Sequence, residues 1–407
     1  MATSIPQQLA GATDTARATA TVDADADAAA VAAPSRAVDV VVVGAGQAGL
    51  SAAHHLGRLG VAARADSTPV ADPARDAGAA GVGGFVVLDG DDGPGGAWRH
   101  RWPTLRLDKA HRIHDLPGLT LAEAVPDADP GTPAAEVMTR YFAAYERRFA
   151  LPVRRPVRVG AVREAGDGRL LVETDTDGVW STRALVNATG TWTSPFIPFY
   201  PGMSEFRGRQ LHTVDYRTPD EFAGQHVVVV GGGASATQLL AEISEVAGGT
   251  TWVTRRPPVF NEGPFDELAG REAVARVERA VRAGRPPASV VSVTGLVMTP
   301  VLLAARERGA LRRQPMFQRL VADGVVWADG RHQRADAILW ATGFRAALDH
   351  LAPLGLRGPG GGIAMDGTRV AADPRVHLVG YGPSASTIGA NRAGREAARA
   401  IVRWLAG

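Results

Sequence analysis

Two glycine clusters in this 407-residue chain have the spacing of a phosphate cradle. The first, Gly44-Ala45-Gly46-Gln47-Ala48-Gly49, follows the apolar run Val38–Val43 and opens a helical pattern over Leu50–Leu59. In a strand–turn–helix unit the first glycine permits the tight turn, and the second lets backbone approach a pyrophosphate. The third packs helix against strand, and the N–H groups that open the helix face the anion. Gly44, Gly46, Gln47 and Gly49 are therefore candidate contacts to a dinucleotide. The second cluster, Gly231-Gly232-Gly233-Ala234-Ser235-Ala236, follows Val227–Val230 and precedes a helical pattern over Gln238–Val246. Ala236 replaces the third glycine and widens the helix-to-strand packing slightly, which NADP-type sites tolerate. Gly231, Gly233, Ala234, Ser235 and Ala236 form the second candidate set.

The residue ending the next strand separates the two sites, because an acid there accepts hydrogen bonds from ribose hydroxyls. After the first cluster the strand Phe85–Leu88 ends in Asp89, farther along than the usual spacing of about 20 residues. The Ala/Gly/Asp/Pro stretch Ala63–Gly84, read as a surface insertion, accounts for the excess. Asp66 is nearer in spacing but has no strand before it, and Asp89 could instead be a turn acid of the run Asp89-Gly90-Asp91-Asp92. After the second cluster Thr251–Thr254 ends in Arg255-Arg256. A guanidinium pair suits the 2′-phosphate of NADPH, although a solvated loop pair would look the same. Two nucleotide sites in one chain suit a resident flavin reduced by a visiting nicotinamide.

The strands that must position these loops are continuous apolar runs, Val38–Val43, Phe85–Leu88, Val227–Val230 and Ala337–Leu339, as in parallel sheets buried on both faces. The fold expected is α/β, with two Rossmann-like dinucleotide-binding domains. The chain has no cysteine, which excludes a disulfide scaffold, a Cys-ligated zinc or iron–sulfur site, and a dithiol electron relay. His54, His55, His111 and His114 lack ligand spacing, so no metal is expected. There are 44 basic and 42 acidic side chains, and Lys109 is the sole lysine. The scattered arginines form no nucleic-acid block, and no apolar run reaches membrane-spanning length. The partner expected is thus a small-molecule substrate, with neither nucleic acid nor membrane, in a cytoplasmic protein whose oligomeric state the sequence does not reveal. Residues 1–35, rich in Ala, Thr and Asp, read as a disordered tail.

The segment Phe206-Arg-Gly208-Arg-Gln-Leu-His212-Thr-Val-Asp-Tyr216 resembles the fingerprint of class B flavoprotein monooxygenases. Asn187-Ala-Thr189-Gly190, Trp340-Ala-Thr342-Gly343-Phe344 and the segment Gly95-Gly96-Ala-Trp98 through Lys109 agree with it. Tyr216-Arg217 and the short spacing after Trp98 are closer to the flavin-containing, YUCCA-like branch than to Baeyer–Villiger members. The resemblance implies an FAD-binding domain over 36–205 and 341–407, with an NADPH-binding domain at 206–340 inserted in it. Phe206, Gly208, Tyr216, Thr189, Gly190, Thr342 and Gly343 would then mark the linkers, and Gly96, Trp98 and Gly380 would lie at the flavin. His212 and Lys109 are the catalytic candidates it supplies, His212 working at the domain linker and Lys109 near the flavin. The implied reaction inserts one oxygen atom from O2 into a soft N or S nucleophile or a carbonyl compound through a flavin C4a-(hydro)peroxide. An NADPH-dependent flavoprotein reductase or oxidase, and a flavin-binding partner protein without turnover, are the alternatives. Trp98, Trp102 and Trp192 fit either core or flavin-stacking roles. Asn261–Leu320 is expected to form helices over the nicotinamide side.

Overall fold

The computed structural model describes residues 33–64, 83–110, 113–261, 267–287 and 295–407. Most of the expected tail, most of the expected insertion, Asp66 and His111 lie outside the described residues; Ser35, at the end of the expected tail, is tied to the Val179 carbonyl by its N–H. The first sheet holds β1 (Arg36–Val43), β2 (Phe85–Leu88), β3 (Val153–Arg154), β4 (Val159–Glu164), β5 (Leu170–Thr174) and β6 (Val179–Asn187). The second holds β7 (Arg209–His212), β8 (His226–Val230) and β9 (Gly249–Thr254). β10 (Phe260–Asn261) pairs with β11 (Leu296–Val297), and β12 (Arg313–Pro315) joins the second sheet. A three-stranded sheet of β13 (Arg319–Val321), β14 (Gly324–Val326) and β15 (His332–Arg334) precedes β16 (Ala337–Trp340). The chain then returns to the first sheet with β17 (Met365–Asp366), β18 (Arg369–Val370) and β19 (Val376–Leu378).

The first sheet has the order β17-β18-β19-β6-β1-β2-β3, parallel from β19 to β3, and the β4–β5 hairpin pairs with the early half of β6. The second is parallel throughout, in the order β12-β9-β8-β16-β7. Their central strands are apolar without alternation because both faces are covered. Val40 and Val42 of β1 enter one core, and Val41 and Val43 enter another on the opposite face.

Seven helices are described: α1 (Gln47–Arg58), α2 (Leu121–Ala124), α3 (Ala134–Arg148), α4 (Ala234–Ile243), α5 (Glu267–Arg282), α6 (Pro300–Glu307) and α7 (Thr387–Leu405). α1 and α4 begin three and four residues earlier than their apolar patterns indicate. Helix starts at once after the glycine N-caps, ahead of the first strongly apolar residue. The expectation for Asn261–Leu320 is corrected in two ways. The segment supplies strands β11 and β12 as well as helices. Moreover, of the helices described in this segment, α5 buries Val277 and Val281 on the first sheet's core, and α6 packs on the second through Leu302 and Ala305.

Candidate cofactor and active site

Both glycine loops end at a helix whose first turn is left open. α1 and α4 have Gly46 and Gly233 as N-caps, with no side chain capping them and no acid in the first turn. α2, α6 and α7, by contrast, are capped by Thr120, Thr299 and Ser386. Uncapped N–H groups at the positive end of a helix dipole are a ready anion site. A Cβ built on Gly46 or Gly233 meets nothing within 4 Å, so the space beside each helix start is open. At Gly49 the same Cβ would lie 1.8 Å from the Gly44 carbonyl oxygen. The glycines thus divide as the motif requires, one beside open space and one enforcing close packing. These features fit a dinucleotide pyrophosphate at each loop.

Asp89 stands at the end of β2 and is 6% exposed. Its Oδ1 accepts from Ala45 N–H at 3.3 Å, which puts the carboxylate against the first glycine loop. Oδ2 accepts from Arg155 Nε at 2.5 Å, and Arg155 also forks onto Glu146 of α3 with two 2.7 Å bonds. Sequence reasoning missed Arg155 and Glu146, since nothing in their local sequence marks them. Gln47 Nε2 donates to the His114 carbonyl and to Asn391 Oδ1 of α7, so this side chain braces the loop from behind. Gly380, after β19, brings its backbone to Ala48; a Cβ there would lie 3.3 Å from that of Ala48.

At the second loop Arg255 and Arg256 follow β9, both exposed. Among the described residues neither guanidinium has a hydrogen-bond or ion-pair partner. Thr254 Oγ1 donates to the Arg256 carbonyl at 2.8 Å and accepts from Arg313 Nε at 2.7 Å. Arg313 of β12, unmarked in the sequence, therefore pins the turn that carries the arginine pair. Ala236 is fully buried in the core under α4, and Ser235 lies in the helix's first turn.

The segment after β2 closes over the first loop. Gly96, with φ of +50°, would bring a Cβ within 2.8 Å of the Gly46 Cα. Trp98 packs against the cores of both sheets. Trp102, 2% exposed, belongs to the core of the second sheet, which settles its open assignment as core. Arg101 lies 4.8 Å over the Trp192 ring and 5.9 Å over Trp98, and burial lowers its pKa. Lys109 is exposed, and its carbonyl accepts from Gln238 Nε2 of α4 at 3.4 Å.

Between the sheets two connections run side by side. Pro195 and Phe344 pair antiparallel, Phe196 N–H donates to the Gly343 carbonyl at 3.0 Å, and Arg345 N–H to the Ser194 carbonyl at 2.8 Å. Thr342 Oγ1 bonds to the Phe196 carbonyl, and Thr189 Oγ1 to that of Ala347 at 2.6 Å. Gly190 and Gly343 turn the chain with φ of +63° and +83°. His212, 1% exposed at the end of β7, points Nε2 at the Gly343 carbonyl 3.0 Å away, and its Nδ1 accepts from Val214 N–H at 3.3 Å. This pairing makes Nε2 the protonated nitrogen of a neutral ring, and burial lowers the pKa accordingly. Phe206 packs beneath the second sheet and Gly208 sits against the Asp336 carbonyl, while Tyr216 stacks on Phe222.

Comparison with known proteins decides what this arrangement is. The chain is similar to a flavin-containing monooxygenase from Stenotrophomonas maltophilia, at 38% identity and TM-score 0.73, over 91% of this chain and 99% of that one. It belongs to the flavin-containing monooxygenase family, within the class B flavoprotein monooxygenases. Residues 80–269 of this flavin monooxygenase also match the family model described as pyridine nucleotide-disulphide oxidoreductase. Among curated proteins it is similar to indole-3-pyruvate monooxygenase YUCCA1 of Oryza sativa subsp. japonica, at 27% identity over 75% of this chain and 76% of that one. It is likewise similar to a ferredoxin–NADP reductase of Paraburkholderia xenovorans, at 30% identity over 65% and 61%. Among the described residues of the monooxygenase no helix is long and apolar enough to cross a membrane, and no metal-binding cluster forms.

Proposed function

We propose that this chain is an FAD- and NADPH-dependent monooxygenase in which FAD occupies the first loop and NADPH the second. The observation that carries the reading is the pair of uncapped, glycine-started helices, one beside Asp89 and the other beside Arg255 and Arg256. The domain holding the second sheet is inserted in the one holding the first. Bound flavin supplies reduction by NADPH and reaction with O2, so that substrate, O2, NADPH and a proton give oxygenated substrate, water and NADP⁺.

The chain's own groups bind, orient and exclude water. The N–H groups after Gly44 and Gly46 hold the FAD pyrophosphate, and the remaining lone pairs of Asp89 accept from its ribose. N–H groups at Gly233, Ala234 and Ser235 do the same for NADPH, with Arg255 and Arg256 on the 2′-phosphate. Gly96 and Trp98 cover the flavin and shield it from water. His212 positions the connection between the sheets, and the Lys109 backbone carbonyl meets α4 through Gln238.

The substrate class is a soft N or S nucleophile or a carbonyl compound, and the rice relative's name makes a 2-oxo acid the first compound to try. The test supplies the FAD-loaded chain with NADPH and ¹⁸O2 over amines, sulfides, ketones and 2-oxo acids. One labelled oxygen per NADPH is expected in product, and the other in water. NADPH oxidation with no label in any organic product would replace this reading with the reductase one, toward which the ferredoxin–NADP reductase similarity points.

A further inference from the structure

Glu242 is an acid in the wrong place for its own helix. It lies in the last turn of α4, where the helix dipole disfavours negative charge. Among the described residues no arginine, lysine or histidine pairs with it. Its carboxylate is held by neutral donors from two other segments. Trp102 Nε1 donates to Oε1 at 3.3 Å, while Thr104 Oγ1 and the Tyr216 hydroxyl donate to Oε2 at 2.5 and 2.9 Å. Trp102 and Tyr216 are 2% and 1% exposed and lie edge to face. Donors this buried are costly to leave unpaired, so the three bonds fix the carboxylate in one place.

The segments so joined carry the two cofactor loops. Trp102 and Thr104 continue the stretch that starts at Gly96, whose backbone lies on Gly46 of the first loop. α4 starts at Gly233 of the second loop. One turn before Glu242, Gln238 makes the further tie to the Lys109 carbonyl, from the same side of the helix. We infer that Glu242 is a positioning residue that locks the NADPH-binding helix to the flavin-covering segment and so sets the nicotinamide's distance from the flavin. The inference rests on the assignment of FAD and NADPH to the two loops. Hydride transfer is sensitive to such placement, since a displacement of about 1 Å can cost on the order of 100-fold in rate.

The experiment uses the full FAD-loaded chain and the variants Glu242→Leu and Glu242→Gln, with Thr104→Val and Tyr216→Phe as milder cuts should the leucine variant not fold. Glu242→Leu should slow the limiting rate of flavin reduction by NADPH, in anaerobic rapid mixing, by about 10- to 100-fold. The NADP⁺ dissociation constant, titrated without turnover, should move by no more than about threefold, because the pyrophosphate and 2′-phosphate contacts lie at the other end of α4. Glu242→Gln, which keeps acceptor capacity on its amide oxygen, should recover most of the rate. Amide hydrogen exchange should speed up in both 102–105 and 234–243 in the leucine variant. An unchanged reduction rate, a loss of NADP⁺ affinity as large as the loss of rate, or faster exchange in α4 alone would each overturn the inference. If NADPH fails to reduce the wild-type flavin, the functional reading falls, and the exchange pattern alone decides whether Glu242 ties the segments together.

Discussion

Gly46 and Gly49 stand three residues apart, yet alanine should affect them in opposite ways. Gly46 has φ of −79° and open space where a Cβ would stand, so Gly46→Ala should leave the thermal midpoint of the FAD-free protein unchanged while abolishing FAD retention on gel filtration. At Gly49 the added carbon would meet the Gly44 carbonyl oxygen at 1.8 Å, a backbone clash expected to cost more than about 4 kcal/mol and to reduce soluble yield. Arg255→Ala removes a charge-assisted contact worth about 1.5–3 kcal/mol, so NADPH should bind about 10- to 150-fold more weakly and NADH unchanged. Equal loss for both cofactors would count against the phosphate assignment. At this scale the legible residues were those whose type alone states a backbone or charge requirement: the glycines, and Asp89, whose carboxylate lies against the first loop. Arg155, Glu146, Arg313 and Glu242 stayed hidden because each acts through partners that only the fold brings together.

The first loop is supported from behind by two helices in unusually close contact. A Cβ on Gly394 of α7 would lie 2.7 Å from both Ala52 N and Ser51 Oγ of α1. Gly394→Ala should therefore cost about 1–3 kcal/mol in urea denaturation by overpacking. Gly57→Ala on α1, where a Cβ meets nothing within 4 Å, should instead add about 0.5–1 kcal/mol. Elements were legible where their pattern was unmixed. The buried central strands β1, β2, β8 and β16 read as apolar runs because both faces are covered. The stretch from Asn261 to Leu320 was not legible, since its helices are amphipathic toward different sheets and its strands are two or three residues long. Such short edges owe their form to neighbours rather than to their own propensity.

Across the molecule, burial holds several histidines neutral. It lowers the pKa of His54, His212 and His226, and brings His55, His350 and His377 to about 4. Above the unfolded value of about 6.5 both states are neutral and these groups do not affect stability. Between about 6.5 and 4 the unfolded chain takes up protons that His350 and His377 refuse in the fold, so stability falls as pH falls, by up to about 1.4 kcal/mol per pH unit for each of these two. The thermal midpoint should be level near pH 7–8 and decline steadily below about 6.5, with a shallower slope in His377→Gln. A midpoint that holds level down to pH 5 would contradict this.

The paired connections at 194–196 and 343–345 have a mechanical consequence. A two-ply strap bends across its flat side and resists torsion, whereas a single strand would swivel. Any movement of one sheet relative to the other is therefore confined to one arc, and a nicotinamide carried on the second sheet would approach the flavin along a single line. Spin-label distances between the sheets, with and without NADP⁺, should then vary along one correlated track; independent variation would show that the strap does not act as one piece.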